Sequence, residues 1–480
     1  MSAGEVATRQ SGWLVPSIIG TAFLLQTLMA TILANALPTM AESLHVSPLR
    51  LNLAITMYLL ASAVFLPISG WAGDKFGAKR VFITAIVLFG LSSAACGFST
   101  NLGQLIAGRI VQGLAAAMMM PVGRLVLLRT TPKDQLVAAM SILTVPPLLG
   151  TMVGPVLGGA IVTFWDWRWI FFINLPVAAL GVILALRYVP DVEAQGVAPM
   201  DWLGFALTGL GLACLVFGFE NLGQPILPPA AVASLFLVGA GALWLYARYA
   251  RNNPRAILDL SLFSLETFRA AVLGGAFMRF SISALPFLLA ILFQIGFGMN
   301  ALEAGLLTFY GGAGALVMKA TAPPILRRFG FRRVLIVNGA ILGVISMIYA
   351  LIQPGMPSWI IITVLLVGGF IRSLQFTSLN GMVFADVGQD QMSRASTLSS
   401  MAQQLTQSVG VGLAALMLHR VMRFQGASAL DAQSVAPVFL AFGLISLISL
   451  PFYLRLAHTA GDDMNGRGLT TPPPAARDRR

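Results

Sequence analysis

Charge is scarce in this sequence, and negative charge is scarcest. Only 10% of the 480 residues are Asp, Glu, Lys or Arg, and 18 acidic side chains face 30 basic ones. Soluble domains carry charge at about a quarter of their positions, so a soluble globular fold is excluded. Cysteine and histidine are equally sparse: Cys96 and Cys214, and His45, His419 and His458. Two isolated thiols inside apolar runs exclude a disulfide framework and leave no metal site. No cofactor is expected. Nor do His or acidic residues cluster near a membrane surface, as metal or acid–base chemistry would need, so the chain does not read as an enzyme. The segments of about ten alternating residues that build a membrane barrel are missing as well.

What is present is apolar length. Hydrophobic residues make up 57% of the chain and the mean hydropathy is +0.83. Many runs reach the roughly 20 residues that span a bilayer. The first, Trp13 to Leu37, is too long for a signal-peptide core and reads as a retained span. Turn residues and charges mark fourteen runs, near 13–37, 50–70, 80–98, 103–128, 138–162, 169–188, 202–220, 230–248, 269–296, 303–322, 334–352, 357–384, 396–418 and 434–455. The expected class is an all-α integral membrane protein with 14 transmembrane helices, its partner a lipid bilayer. With both termini in the cytoplasm, 21 of the 30 Lys and Arg fall on the inner side. Four (Arg50, Arg168, Arg420 and Arg423) fall outside. This is the positive-inside pattern of an inner membrane protein. It also accounts for the net charge of +12 without a nucleic-acid partner.

The loop after the second run reads GDKFGAKRVFI from Gly73, and the loop after the tenth reads LRRFGFRRVLI from Leu326. They share F-G-x-[K/R]-R-V-x-I at an offset of 253 residues, with eight spans between the copies. The expected organisation is a cytoplasmic tail over 1–12, a six-helix half over 13–190 and two extra helices over 200–250. A second six-helix half covers 265–456, and a disordered cytoplasmic tail covers 457–480. Duplicated halves around a midplane site characterise secondary transporters. A channel, which would favour a symmetric pore with a filter or charged ring, is a remote alternative.

Three motifs make the resemblance specific. GWAGDKFGAKR (Gly70 to Arg80) resembles the signature loop of the major facilitator superfamily. GRIVQG (Gly108 to Gly113) is similar to its span-4 motif, and GTMVGPVLGG (Gly150 to Gly159) to the span-5 motif of its antiporters. Fourteen runs together with WDWRWIFFINLPV resemble the fourteen-span drug:proton antiporter family. The resemblance implies alternating access, export of a small-molecule substrate and proton-coupled antiport. An organic anion exchanger or facilitator without proton coupling is the alternative. One departure bears on coupling: that family usually carries an aspartate in span 1 just before T-I-x-x-x-A-L-P, whereas Leu28, Met29 and Ala30 precede Thr31 here.

Each motif has a physical reading. In the signature loop, Gly70, Gly73 and Gly77 permit close helix approach and a tight turn. Asp74, with Lys79 and Arg80 following, can pair with a basic residue or sit at a helix N-terminus. The expected role is a latch between the halves that breaks as access alternates. In span 5, Gly150, Gly154, Gly158 and Gly159 lie on one helix face. Pro155 can kink the helix, and the face is expected to seal the cavity. Five cations lie within spans: Arg109, Arg124, Arg279, Lys319 and Arg372. Arg124 and Lys319 lie near the cytoplasmic ends and could snorkel. Arg279 is some 16 Å deep at about 1.5 Å per residue. Arg109, in GRIVQG, is expected to point into the cavity. Polar neighbours at helical spacing, Gln375 and Asn380 in span 12 and Gln403 and Gln407 in span 13, suggest a polar lining. No carboxylate sits clearly at mid-depth; Glu220 and Asp386 end their spans. Guanidinium at depth suits carboxylate or phosphate, so the substrate or coupling residues point to an anionic or zwitterionic substrate.

Overall fold

Apolar runs of this length satisfy their backbone groups internally as helices, the form a single segment can take in hydrocarbon. The computed structural model describes residues 3–46, 48–191, 199–222, 227–251, 253, 256–299, 301–425 and 432–464, and no strand occurs among them. The first half contains α1 (Ala3–Ser43), α2 (Pro48–Phe65), α3 (Ser69–Phe76), α4 (Ala78–Gly97), α5 (Leu102–Thr130), α6 (Leu136–Leu143), α7 (Val145–Phe164), α8 (Trp169–Phe172) and α9 (Asn174–Tyr188). Two further helices follow, α10 (Trp202–Glu220) and α11 (Pro229–Arg251). The second half contains α12 (Glu266–Arg269), α13 (Gly275–Ile291), α14 (Ala301–Phe329), α15 (Phe331–Ile348), α16 (Ser358–Met382), α17 (Met392–Gln425), α18 (Ala432–Leu447) and α19 (Leu450–Leu454).

Among the described residues, 13 helices are long and apolar enough to cross a membrane, against the fourteen expected. The remaining segment, 303–322, lies in α14, which at 29 residues is long enough. Its glycines, Glu303 and Lys319 dilute its hydropathy. α1 begins at Ala3, so the helix runs on through the expected N-terminal tail, while the apolar span within it starts at Trp13. At the other end, residues 457–464 form a turn and a short 3-10 helix with Met464 buried, where a disordered tail was expected. The rest of that tail, with Arg467, Arg477, Arg479 and Arg480, lies outside the described residues, as does Arg255.

The halves repeat one packing plan. In the first, α1 packs on α7 and α9, α2 on α5, and α4 on α5 and α9. In the second, α13 packs on α17 and α18, α14 on α16, and α15 on α16 and α18. The short sequence repeat marks matching turns. Gly77 has φ 88° and Gly330 has φ 75°, a region that costs an L side chain but not glycine. Even the basic residues correspond. Lys79 Nζ donates to the Leu186 carbonyl near the end of α9, at 3.0 Å. Arg332 Nη2, 253 residues on, donates to Leu454 at the end of α19, also at 3.0 Å. Both satisfy orphan carbonyls at a helix C-terminus. The extra helix α10 lies against α2 of one half and α17 of the other, and α11 packs on α10.

Candidate functional site

The halves meet along α7 and α14, and also along α3 and α17, α5 and α17, and α6 with α14 and α16. The contacts of α3 with α17 lie at the end that bears the signature loop. Ser69 Oγ and Thr397 Oγ1 are 3.3 Å apart, and Ser396 Oγ donates to the Pro121 carbonyl at 2.9 Å. Gly70 makes the closeness possible: a Cβ there would meet Thr397 Oγ1 and would come within 2.8 Å of Ser393 Oγ. The structure is thus closed at this end.

Asp74 does not span that closure. Its carboxylate accepts from Arg129 Nη2 at 2.6 Å, and Arg129 ends α5 of the same half. The expected latch between halves is therefore an internal brace joining α3 to α5, while glycine and hydroxyl groups make the contact between halves. Lys79 caps α9, and Arg80 Nε stands 3.9 Å from Asp191. Gly73 faces Leu125 of α5. The counterpart of Asp74 in the repeat, Arg327, is exposed.

The span-5 glycines are also turned inward within one half. A Cβ at Gly150 would meet Thr27 Oγ1 and come within 2.9 Å of Leu24 Cδ1. One at Gly158 would come within 3.1 Å of the Ile32 Cα and carbonyl oxygen. Gly154 is buried in the same helix, which also holds Pro155 and Gly159. This is the α1–α7 seam, where small residues let backbones approach. α7 also packs on α14 of the other half, where Met152 lies against Gly312.

Among the described residues, none of the five intramembrane cations forms an ion pair. Arg109, 2% exposed, donates from Nη1 to Gln112 Oε1 at 2.6 Å and from Nε to the Ala54 carbonyl at 3.3 Å. Its guanidinium carbon lies 4.3 Å from the centroid of the Tyr58 ring. A ring face and two neutral oxygens thus surround the guanidinium, within reach of cation–π attraction. Gln112 belongs to the same GRIVQG motif, one turn along α5. Its i, i+3 spacing from Arg109 is the sequence signal for this pairing.

Arg124 does not snorkel. Its Nη2 crosses between the halves and donates to Gln403 Oε1 at 2.9 Å. Gln403 Nε2 donates to Asn380 Oδ1 at 3.1 Å, and that oxygen also accepts from Arg279 Nη2 at 3.4 Å. The charges of Arg124 and Arg279 act on each other, with two carboxamides between them. Arg279 is further held by its Nη1 bond to the Ala271 carbonyl at 3.0 Å, while its buried Nε has no partner. Lys319, 8% exposed, donates to Thr377 Oγ1 at 2.7 Å, one turn from Asn380 on α16. Arg372 makes no hydrogen bond among the described residues and stands near Tyr349 and Gly311. The arrangement is a chain of polar groups from α5 through α17 and α16 to α13, positive at both ends.

One expected lining residue, Gln375, lies elsewhere. Gln375 is fully buried between α16 and α15, where it accepts from Asn338 at 2.8 Å and donates to the Leu335 carbonyl. It is a helix-packing group. Gln407, one turn beyond Gln403, is exposed. Asp386 accepts from Thr267 at 2.8 Å. Glu220 bonds Ser408, tying α10 to α17. The residues missed in the sequence are Ser69, Ser393, Ser396 and Thr397. Their signal was the hydroxyl-rich start of α17, MSRASTLSSM.

Comparison with known proteins adds to this geometry. Residues 19–411 match the family model described as Major Facilitator Superfamily. The chain is 38% identical over 414 residues, 86% of each chain, to the "Putative multidrug resistance protein MdtD" of Escherichia coli O7:K1. It is 37% identical over 401 residues to the protein of the same name from Cronobacter sakazakii, covering 84% of this chain and 85% of that one. Its fold is similar to that of the human organic anion transporter MFSD10 (TETRAN), with a TM-score of 0.67 at 16% identity, over 92% of this chain and 99% of that one. The proton:xylose symporter XylE superposes with a TM-score of 0.66 at 14% identity, over 96% of this chain and 99% of that one.

Proposed function

The chain belongs to the major facilitator superfamily, and from that premise we propose that it is a secondary active exporter of small organic molecules, working by alternating access across a bacterial inner membrane. Both termini lie in the cytoplasm in this reading, which rests on the 21 Lys and Arg on that side. The signature-loop end is then the cytoplasmic gate, and the structure is its cytoplasm-closed state. Alternating access needs two halves joined by contacts that can break at little cost. The hydroxyl and glycine contacts of α3 and α5 with α17 are of that kind, whereas the Asp74–Arg129 brace moves with its own half.

The substrate class is read from the Arg124–Gln403–Asn380–Arg279 chain, the observation that carries the proposal. Two guanidinium groups contributed by opposite halves, with only neutral amides between them, fit an anionic or zwitterionic molecule. Such a molecule would replace the amides and neutralise both halves at once. The relatives' name speaks for a drug-like substrate, and proton antiport is the coupling that the family resemblance implies.

The test is transport in proteoliposomes with a pH dye inside, comparing a di- or tricarboxylate with a lipophilic cation. Wild type should move the anion with a coupled pH change. Arg124→Ala, Arg279→Ala and Arg372→Ala should each reduce that flux at least tenfold. Cation flux that survives all three changes, without carboxylate flux, would overturn the anion reading. Anion flux without any pH change would favour an exchanger.

A further inference from the structure

Outside the interface between the halves, a groove of about 640 Å³ opens between α3, α4 and α5. That is within the 300–1,000 Å³ range of ligand sites. Its walls change character along its length. One end carries Lys75 and Arg80; the other is lined by Ala85, Leu88, Leu114 and Met118. From Arg80 to Leu88 the groove follows α4 for about 12 Å. Beyond it on the same two helices, Val87, Leu91, Ile110 and Val111 are exposed, as expected of a surface that meets hydrocarbon. The charged end bears the marks of a membrane–water boundary. Lys75 Nζ lies 4.7 Å from the Trp71 ring centroid, and Phe76 is 53% exposed, the pairing of aromatic and basic groups found at such boundaries.

We propose that this groove binds one anionic phospholipid, its phosphate held by Lys75 and Arg80 and an acyl chain lying along Ala85, Leu88, Leu114 and Met118. The choice of an anionic lipid follows from how the neighbouring charges are used. Asp74, the carboxylate lining the groove, is bonded to Arg129 at 2.6 Å, so it offers little to the ammonium of a zwitterionic headgroup. Lys79 is directed to the Leu186 carbonyl, and Arg80 leans towards Asp191 at 3.9 Å while its side chain stays largely exposed. Lys75 has no hydrogen-bond or ion-pair partner among the described residues, its Nζ lying over the Trp71 and Phe76 rings. The site lies on α3, the helix whose glycine edge closes against α17. A lipid seated there would therefore rest on a moving part of the gate. The proposal rests on the membrane placement given above but not on any substrate.

The test is native mass spectrometry of the full-length protein in detergent, titrated with phosphatidylglycerol, phosphatidylethanolamine or phosphatidylcholine. Wild type should retain one phosphatidylglycerol with at least fivefold preference over either other lipid. The double variant Lys75→Gln/Arg80→Gln should lose that preference, and Thr84→Trp, which fills the groove mouth without touching its charges, should lower retention at least fivefold. Lys133→Gln/Arg248→Gln removes equal charge elsewhere and should behave as wild type. Unchanged phosphatidylglycerol retention in both groove variants, or equal retention of the three lipids by wild type, overturns the proposal. So does equal loss in the Lys133/Arg248 control. Variants are compared only when their thermal unfolding matches wild type. The readout is a lipid count, so a failure of the transport reading leaves it unaffected.

Discussion

Gly70→Val tests the gate most directly. Gly70 sits where α3 meets α17, and a single added Cβ would meet Thr397 Oγ1 and approach Ser393 Oγ to 2.8 Å. Both hydroxyls belong to short side chains on a helix that also packs on α13, so they have little room to withdraw. Overpacking of this kind costs about 1–3 kcal/mol, and here the cost falls only on the state in which the two helices touch. The closed state should lose to the cytoplasm-open state by about 5–150-fold. The assay is double electron–electron resonance between spin labels at Phe76→Cys and Phe329→Cys, both exposed, in a background with Cys96 and Cys214 replaced by alanine. Gly70→Val should move the distance distribution towards the longer, open population. Adding Thr397→Ala and Ser393→Ala, which removes the atoms the new side chain strikes, should return it, and the coupling between the sites is read from that cycle. An unchanged distribution in Gly70→Val, or a shift the double alanine change leaves in place, refutes the argument that steric contact at Gly70 holds this end shut.

Other consequences are open to measurement. Asp74→Asn replaces a charge-assisted bond between partly buried groups and should lower stability by about 2 kcal/mol, read as a fall in unfolding temperature in detergent. Arg129→Ala should fall by a similar amount, and if both leave thermal unfolding unaltered, the brace is dispensable. Gln403→Leu leaves Arg124 without its partner across the interface; its expected signature is a loss of at least tenfold in anion flux with normal expression, and wild-type flux would remove Gln403 from the site. Gly158→Val overpacks the α1–α7 seam by about 1–3 kcal/mol. Folded yield should therefore drop, with no selective effect on the gate distances. Lys79→Ala and Arg332→Ala, the latter in a His458→Ala background because Arg332 Nη1 also lies 2.9 Å from the His458 ring, each leave a helix-end carbonyl without its donor, and matched losses of about 1 kcal/mol would reflect their equivalence in the two halves. Very unequal losses would argue against it.

The sequence determined the class of molecule and its plan. Hydropathy alone required membrane helices, because hydrocarbon leaves a spanning chain few other forms. The F-G-x-[K/R]-R-V-x-I repeat disclosed the duplication, and the matched positive-φ turns at Gly77 and Gly330 show why glycine recurs there. It also disclosed the sign of the buried charge, since five cations without a mid-depth acid can be counted. What it could not assign was partners. Asp74 pairs with Arg129, 55 residues away, and Arg124 with Gln403, 279 residues away. Such pairings depend on which helix faces which, and helical periodicity fixes a face without naming its neighbour. The same gap explains the span-5 glycines: their spacing predicts a close contact, and only the packing of α1 on α7 decides that it lies within one half. Arg109 is the sharpest case. Its position in GRIVQG marks it as important, yet only the folded chain reveals that the Tyr58 ring, the Gln112 amide and the Ala54 carbonyl surround it. Side chains from two helices can satisfy a buried charge with neutral groups, and sequence spacing carries no record of that meeting.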